Sequence, residues 1–88
     1  MKQIKLSGRE MAVLRAIDYT VGSTGQEIQE RTNIEGADVA DILNGLCDVG
    51  YVEIYPDAKI VTFEIYAASR FEVNPSYWQQ LKDAMRRR

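Results

Sequence analysis

Apolar residues recur along the chain first with a helical period and then with a period of two. Val39, Ile42, Leu43 and Leu46 stand at offsets of zero, three, four and seven, one face of a helix of 3.6 residues per turn. Gly50 follows its last turn, where glycine commonly ends a helix. The stretch before it predicts a helix of its own. Thr24 and Glu27 have the spacing of a capping box, in which the hydroxyl accepts from one free amide of the first turn and the carboxylate from another. That helix turns Ile28 inward, exposes Gln26, Gln29, Glu30 and Arg31, and stops near Asn33, a residue that tolerates left-handed backbone. Ile34 then points back to the core. A first helix is predicted from about Gly8 to Tyr19, capped by Ser7 and Glu10, with Met11, Leu14 and Ile17 as its stripe and Ala12 and Ala16 as compact neighbours. Ahead of it, Lys2 to Leu6 alternate polar and apolar, which suits a short strand or an extended arm with Ile4 and Leu6 inward.

After Gly50 the period changes. Val52 and Ile54 alternate with Tyr51, Glu53 and Tyr55, and beyond Pro56-Asp57-Ala58 the segment Lys59 to Tyr66 alternates again, with Val61, Phe63 and Ile65 on one side. Two strands joined by a short Pro-Asp turn make a hairpin. Its other face carries Tyr51, Tyr55, Thr62, Glu64 and Tyr66, which could meet a ligand or simply stabilise the hairpin as cross-strand pairs. Ala67 to Val73 reads as irregular. Asn74-Pro75 then starts a last helix, Asn as cap and Pro in the first turn, with Tyr77, Trp78, Leu81, Ala84 and Met85 as its apolar stripe and Arg86, Arg87 and Arg88 at the negative end of its dipole. The expected core is Leu14, Ile17, Ile28, Ile34, Leu43, Leu46, Val52, Ile54 and Phe63.

The run Glu27-Ile28, Asn33-Ile34, Val39, Leu43, Leu46 and Gly50-Tyr51-Val52 resembles the winged helix-turn-helix domain of small prokaryotic transcription regulators. The resemblance extends from about Leu6 to Ala68. It implies an α+β winged helix: a three-helix core with the helix-turn-helix at 24–50, a two- to three-stranded wing at 51–66, and an extra C-terminal helix at 75–88, all in one domain. It also implies that the second helix of the motif, Ala37 to Val49, is the recognition helix that enters the DNA major groove. These matches are core positions, and core positions report fold before function.

Composition removes several classes of chemistry. The 88 residues include no histidine and one cysteine, so His-based catalysis, a zinc cluster and an internal disulfide are all absent; phosphate-binding glycine loops are absent too. Neither an enzyme nor a bound cofactor or metal is expected. Cys47 reads as a small, half-buried apolar residue. No long apolar run or signal-type segment occurs, so a cytoplasmic protein without a membrane role is expected.

Charge changes the picture more. The net charge is −2, but residues 1–50 hold five basic against eight acidic side chains, so the helix-turn-helix half is the acidic half. For a nucleic-acid binder this is the wrong way round. The outer face of the recognition helix reads Ala37, Asp38, Ala40, Asp41, Asn44, Gly45 and Asp48, and no lysine or arginine occurs from Thr32 to Ala58. Nonspecific DNA affinity comes mainly from cations that displace counterions, and carboxylates do the reverse. Asn44 could read adenine and an Asp could accept from cytosine, but base contacts need phosphate contacts to position them. The cations on offer are Arg31, Lys59, Arg70 and the basic chain ends. Gly45 is either a docking notch or a point of crowding against another helix.

Two functions follow. The first choice is a winged-helix regulatory protein of transcription-factor type for which DNA is a possible ligand; the alternative is a protein-interaction module on the same scaffold that does not bind DNA and uses the acidic outer face of the recognition helix and the wing. The surface involved would carry Arg31, Asp38, Asp41, Asn44, Gly45, Asp48, Lys59 and Arg70. In the resembled family an extra terminal helix often pairs two subunits, which implies a homodimer through Tyr77, Trp78, Leu81 and Met85. The alternative is that Trp78 and Leu81 pack on Met11 and Leu14 within one chain.

Overall fold

The computed structural model describes residues 4–86. In chain order it holds α1 (Gly8–Ala16), β1 (Ser23–Thr24), α2 (Gly25–Thr32), α3 (Gly36–Asp48), β2 (Val52–Tyr55), α4 (Phe63–Tyr66), β3 (Arg70–Val73), a 3-10 turn (Pro75–Tyr77) and α5 (Trp78–Arg86). Helices α1, α2 and α3 pack on one another and beside a three-stranded antiparallel sheet ordered β1-β3-β2. This is an α+β winged helix. Lys2 of the expected N-terminal strand, and Arg87 and Arg88, lie outside the described residues. Ile4 and Leu6 lie in irregular chain, not in a strand, and pack against the core.

Both capping boxes form. Ser7 Oγ accepts from the Glu10 amide at 3.1 Å while the Glu10 carboxylate accepts from the Ser7 amide at 2.8 Å, and Thr24 and Glu27 do the same at 3.1 and 2.9 Å. Asn33 ends α2 in left-handed backbone with φ 61°. Helix α1 ends at Ala16, short of the expected Tyr19. Ile17 is already extended, and the Asp18 carboxylate then accepts from the amides of Thr20 and Val21 at 2.7 and 3.1 Å to build a turn. Those amides hold the Asp18 carboxyl below its ordinary pKa.

The core is sealed by Val13, Leu14, Ile17, Ile28, Val39, Leu43, Leu46, Val52, Phe71, Val73 and Leu81. Ile34 is only half-buried. Leu43→Ala is expected to cost about 2–5 kcal/mol in urea unfolding, the range for a buried leucine that leaves a cavity. A change under about 0.5 kcal/mol would show that this face of α3 is not core.

The wing departs from expectation. Its second strand is Arg70–Val73, not Lys59 to Tyr66, and Phe63 to Tyr66 form a single helical turn whose Ile65 and Tyr66 amides donate to Thr62 O at 3.2 and 3.0 Å. Arg70 to Val73, expected to be irregular, alternates too, and the sheet selects it because it can be sealed on both edges. In register, Ile54 faces Phe71 and Val52 faces Val73, and β3 also takes β1 on its other side, Ser23 opposite Phe71. Phe71 is fully buried, whereas Phe63, expected in the core, is 61% exposed. The outward tyrosine face dissolves with the strand: Tyr66 is buried, Tyr51 packs edge-on to Tyr77 at 5.1 Å between ring centres, and Tyr55 alone stays exposed.

Helix α5 closes the domain. Leu81, Ala84 and Met85 are buried, Trp78 Nε1 donates to Val73 O at 2.9 Å, and the Arg15 guanidinium donates to Met85 O at 2.9 Å. The apolar side chains named for self-association are therefore spent largely within this chain, with Tyr77 and Trp78 partly buried against the same core.

Candidate interaction surface

Helix α3 turns Val39, Leu43 and Leu46 to the core, and at 100° per residue this leaves Ala37, Asp41, Gly45 and Asp48 on the opposite side. All four are exposed. Between these faces runs a flank of Gly36, Ala40 and Asn44, and residues 61–66 lie along it instead of projecting as a free hairpin. The Val61 amide donates to Asn44 Oδ1 at 3.0 Å, and a Cβ at Gly36 would meet the Tyr66 hydroxyl and lie 3.1 Å from Phe63 Cε1. Ala40, expected on the outer face, is buried there. Asn44 has given its acceptor to Val61, which takes away half of the bidentate pattern an adenine contact needs.

Gly45 has open space around it: a Cβ there would meet nothing within 4 Å. Crowding by another helix does not explain this glycine.

The expected cations do not converge on α3. Arg31 donates to Ala16 O and Ser23 Oγ at 2.7 and 2.8 Å, tying α2 to the end of α1. Arg70 donates to Val21 O at 2.7 Å. Arg9, which the sequence did not single out, reaches α3 but pairs with Asp38 at 3.2 Å, an exposed contact of small energetic weight that cancels one charge. Asp41 and Asp48 have no ion-pair partner among the described residues. Among the described residues expected to supply cations, Lys59 is the one that stands near α3 without an ion-pair partner, on the rim of a groove.

That groove, about 410 Å³, opens at the C-terminal end of α3 between Cys47, Asp48, Glu53, Tyr55, Asp57 and Lys59. Its potential is negative for a structural reason. Three carboxylates face one ammonium, and α3 has no basic residue in its last turn to offset the negative end of its dipole. The side chains register that field. The Glu53 carboxylate beside Tyr55 raises the phenol pKa, and burial, helped by Glu53, pushes the Cys47 thiol up to about 11. Cys47 is thus a protonated, half-buried thiol at neutral pH. Its alkylation by iodoacetamide at pH 7.5 should run far slower than that of a free cysteine and accelerate on unfolding in urea; equal rates in the folded and unfolded chain would show an accessible thiolate.

Several members of this surface escape the sequence pattern. Phe63 reads as core, Ile60 falls on the polar side of a strand that does not form, and Glu53 and Asp57 meet Asp48 only through the fold. The one usable signal was the absence of any lysine or arginine from Thr32 to Ala58. Among the described residues, no three His, Cys, Asp or Glu side chains are grouped to hold a metal ion, and no helix is long and apolar enough to cross a membrane.

The architecture defines a winged-helix domain. It is similar to the multiple antibiotic-resistance repressor (MarR) from Listeria monocytogenes 4b F2365, with a TM-score of 0.74 over 92% of this chain and 17% sequence identity. This chain spans 52% of that protein's chain, about half its length. At that identity the likeness is one of fold. No family model and no curated protein matches the sequence.

Proposed function

We propose that this chain is a winged-helix regulatory domain that engages a protein through α3 and residues 56–69 rather than reading DNA with α3. The observation that carries the proposal is the exposed side of α3 itself: among the described residues Asp41 and Asp48 have no ion-pair partner, Asp38 is neutralised by Arg9, and Arg31 and Arg70 are committed to backbone carbonyls elsewhere. A groove-reading helix needs the reverse, with cations gathered on phosphates. The second reading, a DNA-binding transcription regulator, is favoured by the likeness of fold to a repressor.

Fluorescence anisotropy against a mixed-sequence duplex at two salt concentrations separates them. The expected result is binding no tighter than about 10⁻⁵ M near 0.15 M salt, within the nonspecific range. Asp38→Asn with Asp41→Asn should strengthen that residual binding if α3 approaches the groove at all. A dissociation constant near 10⁻⁸ M, with a log-log salt slope of several units at about −0.9 per phosphate, would overturn the proposal in favour of DNA.

A further inference from the structure

Residues 56–69 expose three large apolar side chains beside the acidic side of α3, Ile65 at 38% and two others far more. Ile60 is 62% and Phe63 61% exposed. Scattered exposed apolar residues are ordinary on any protein. These two are not scattered, since they lie three residues apart on a segment braced against one helix. Phe63 is beside Gly36 in the first turn of α3, and Ile60 precedes Val61, which is tied to Asn44 two turns further along. Gly36 to Asn44 spans about 12 Å of helix, the reach of two turns of a partner helix. Phe63 is also held in place: its ring stacks on buried Tyr66 at 5.7 Å and 29° between planes. An aromatic ring fixed before binding loses little entropy on contact, which is how interface anchors are built.

The surround is acidic. Asp41 and Asp48 border the flank that this segment covers, Glu64 follows Phe63, and the groove whose rim carries Lys59, the residue before Ile60, adds Glu53 and Asp57. Resting on the protein-binding reading above, we infer that this surface takes a basic amphipathic helix of a partner protein. Its apolar side chains sit on Ile60 and Phe63, and its lysines or arginines meet Asp41, Asp48 and the groove. A second copy of this chain fits worse, because a two-fold pairing through this patch would bring carboxylates onto carboxylates.

The probe is a synthetic, fluorescein-labelled helical peptide of leucines and lysines with the leucines on one face, titrated against the full chain. Wild type should bind it; Phe63→Ser and Ile60→Ser should each weaken binding at least about tenfold, the usual effect of losing an interface anchor. Asp41→Asn with Asp48→Asn should flatten the salt dependence. Val21→Ser removes an equally exposed apolar residue, 59%, from the turn after α1 and should change nothing. Circular dichroism melts check that each variant is folded. Absence of peptide binding, equal loss in Val21→Ser and Phe63→Ser, or a wild-type dimer in sedimentation equilibrium that Phe63→Ser dissolves would each overturn the inference. If the peptide fails while duplex binding stays weak, only the partner class is wrong; tight duplex binding removes the protein-binding reading itself.

Discussion

Deleting residues 74–88 is expected to yield a chain with no cooperative thermal transition and little helical circular dichroism. Leu81 alone, fully buried, is worth about 2–5 kcal/mol by the cost of truncating such a residue to alanine. The deletion also removes buried Met85 and Ala84, the Trp78 ring and its bond to Val73 O, and the Asn74 amide and side chain that donate to Tyr51 O and Gly50 O at 2.8 and 2.9 Å. Against a total stability of about 5–15 kcal/mol for a small domain, that loss leaves nothing. The same bonds predict a monomer. Sedimentation equilibrium of the full chain should give a mass independent of concentration, because self-association alone makes the apparent mass rise. A truncated chain that melts sharply, together with a full-length mass that climbs with concentration, would instead make Tyr77, Trp78, Leu81 and Met85 a dimer element.

Local grammar was legible in the sequence wherever the cause was local. The capping pairs at Ser7 and Thr24, the left-handed stop at Asn33, the glycine after α3 and the Asn-Pro helix start each involve groups within a few residues, and each forms. The periodic face of α3 was legible for the same reason. The second wing strand was not: Lys59 to Tyr66 gives the longer alternation, and Arg70 to Val73, only four residues long, reads as irregular although it alternates as well. What decides between them is nonlocal: whether Phe71 or Phe63 can face Ile54 while the same strand accepts Ser23 on its far edge. The candidate surface inherits that error, since Ile60 and Phe63 become surface only once the strand moves. The cations failed differently. A guanidinium's partners are carbonyl oxygens exposed by the ends of other elements, such as Ala16 O for Arg31 and Val21 O for Arg70, and no spacing rule encodes them.

Two glycines should respond to alanine with opposite signs. Gly25 opens α2, and its amide donates to Ser69 O while the next, from Gln26, donates to Ala67 O, both at 3.1 Å. Two of the helix's free amides are thus capped by the segment that runs beside α3, and Thr24 Oγ1 takes a third. The absent side chain permits this approach: a Cβ at Gly25 would overlap the Tyr66 carbonyl oxygen and lie 2.6 Å from its carbon. Backbone cannot give way as a flexible side chain can. Gly25→Ala should therefore cost about 2–6 kcal/mol, from overpacking of about 1–3 kcal/mol and two weakened backbone bonds of about 0.5–1.5 kcal/mol each. Gly45 lies mid-helix in open space, so Gly45→Ala should stabilise by about 0.5–1 kcal/mol through the lower entropy of the unfolded chain. Urea midpoints read both. The pair also tests what orders the proposed surface, because undocking at Tyr66 releases the ring on which Phe63 stacks: Gly25→Ala should lose affinity for the basic peptide while it is still folded at low urea, and Gly45→Ala should keep it. A Gly25→Ala variant as stable as wild type would mean that residues 56–69 do not rest on α2, and the preorganisation argued for Phe63 would fall with that contact.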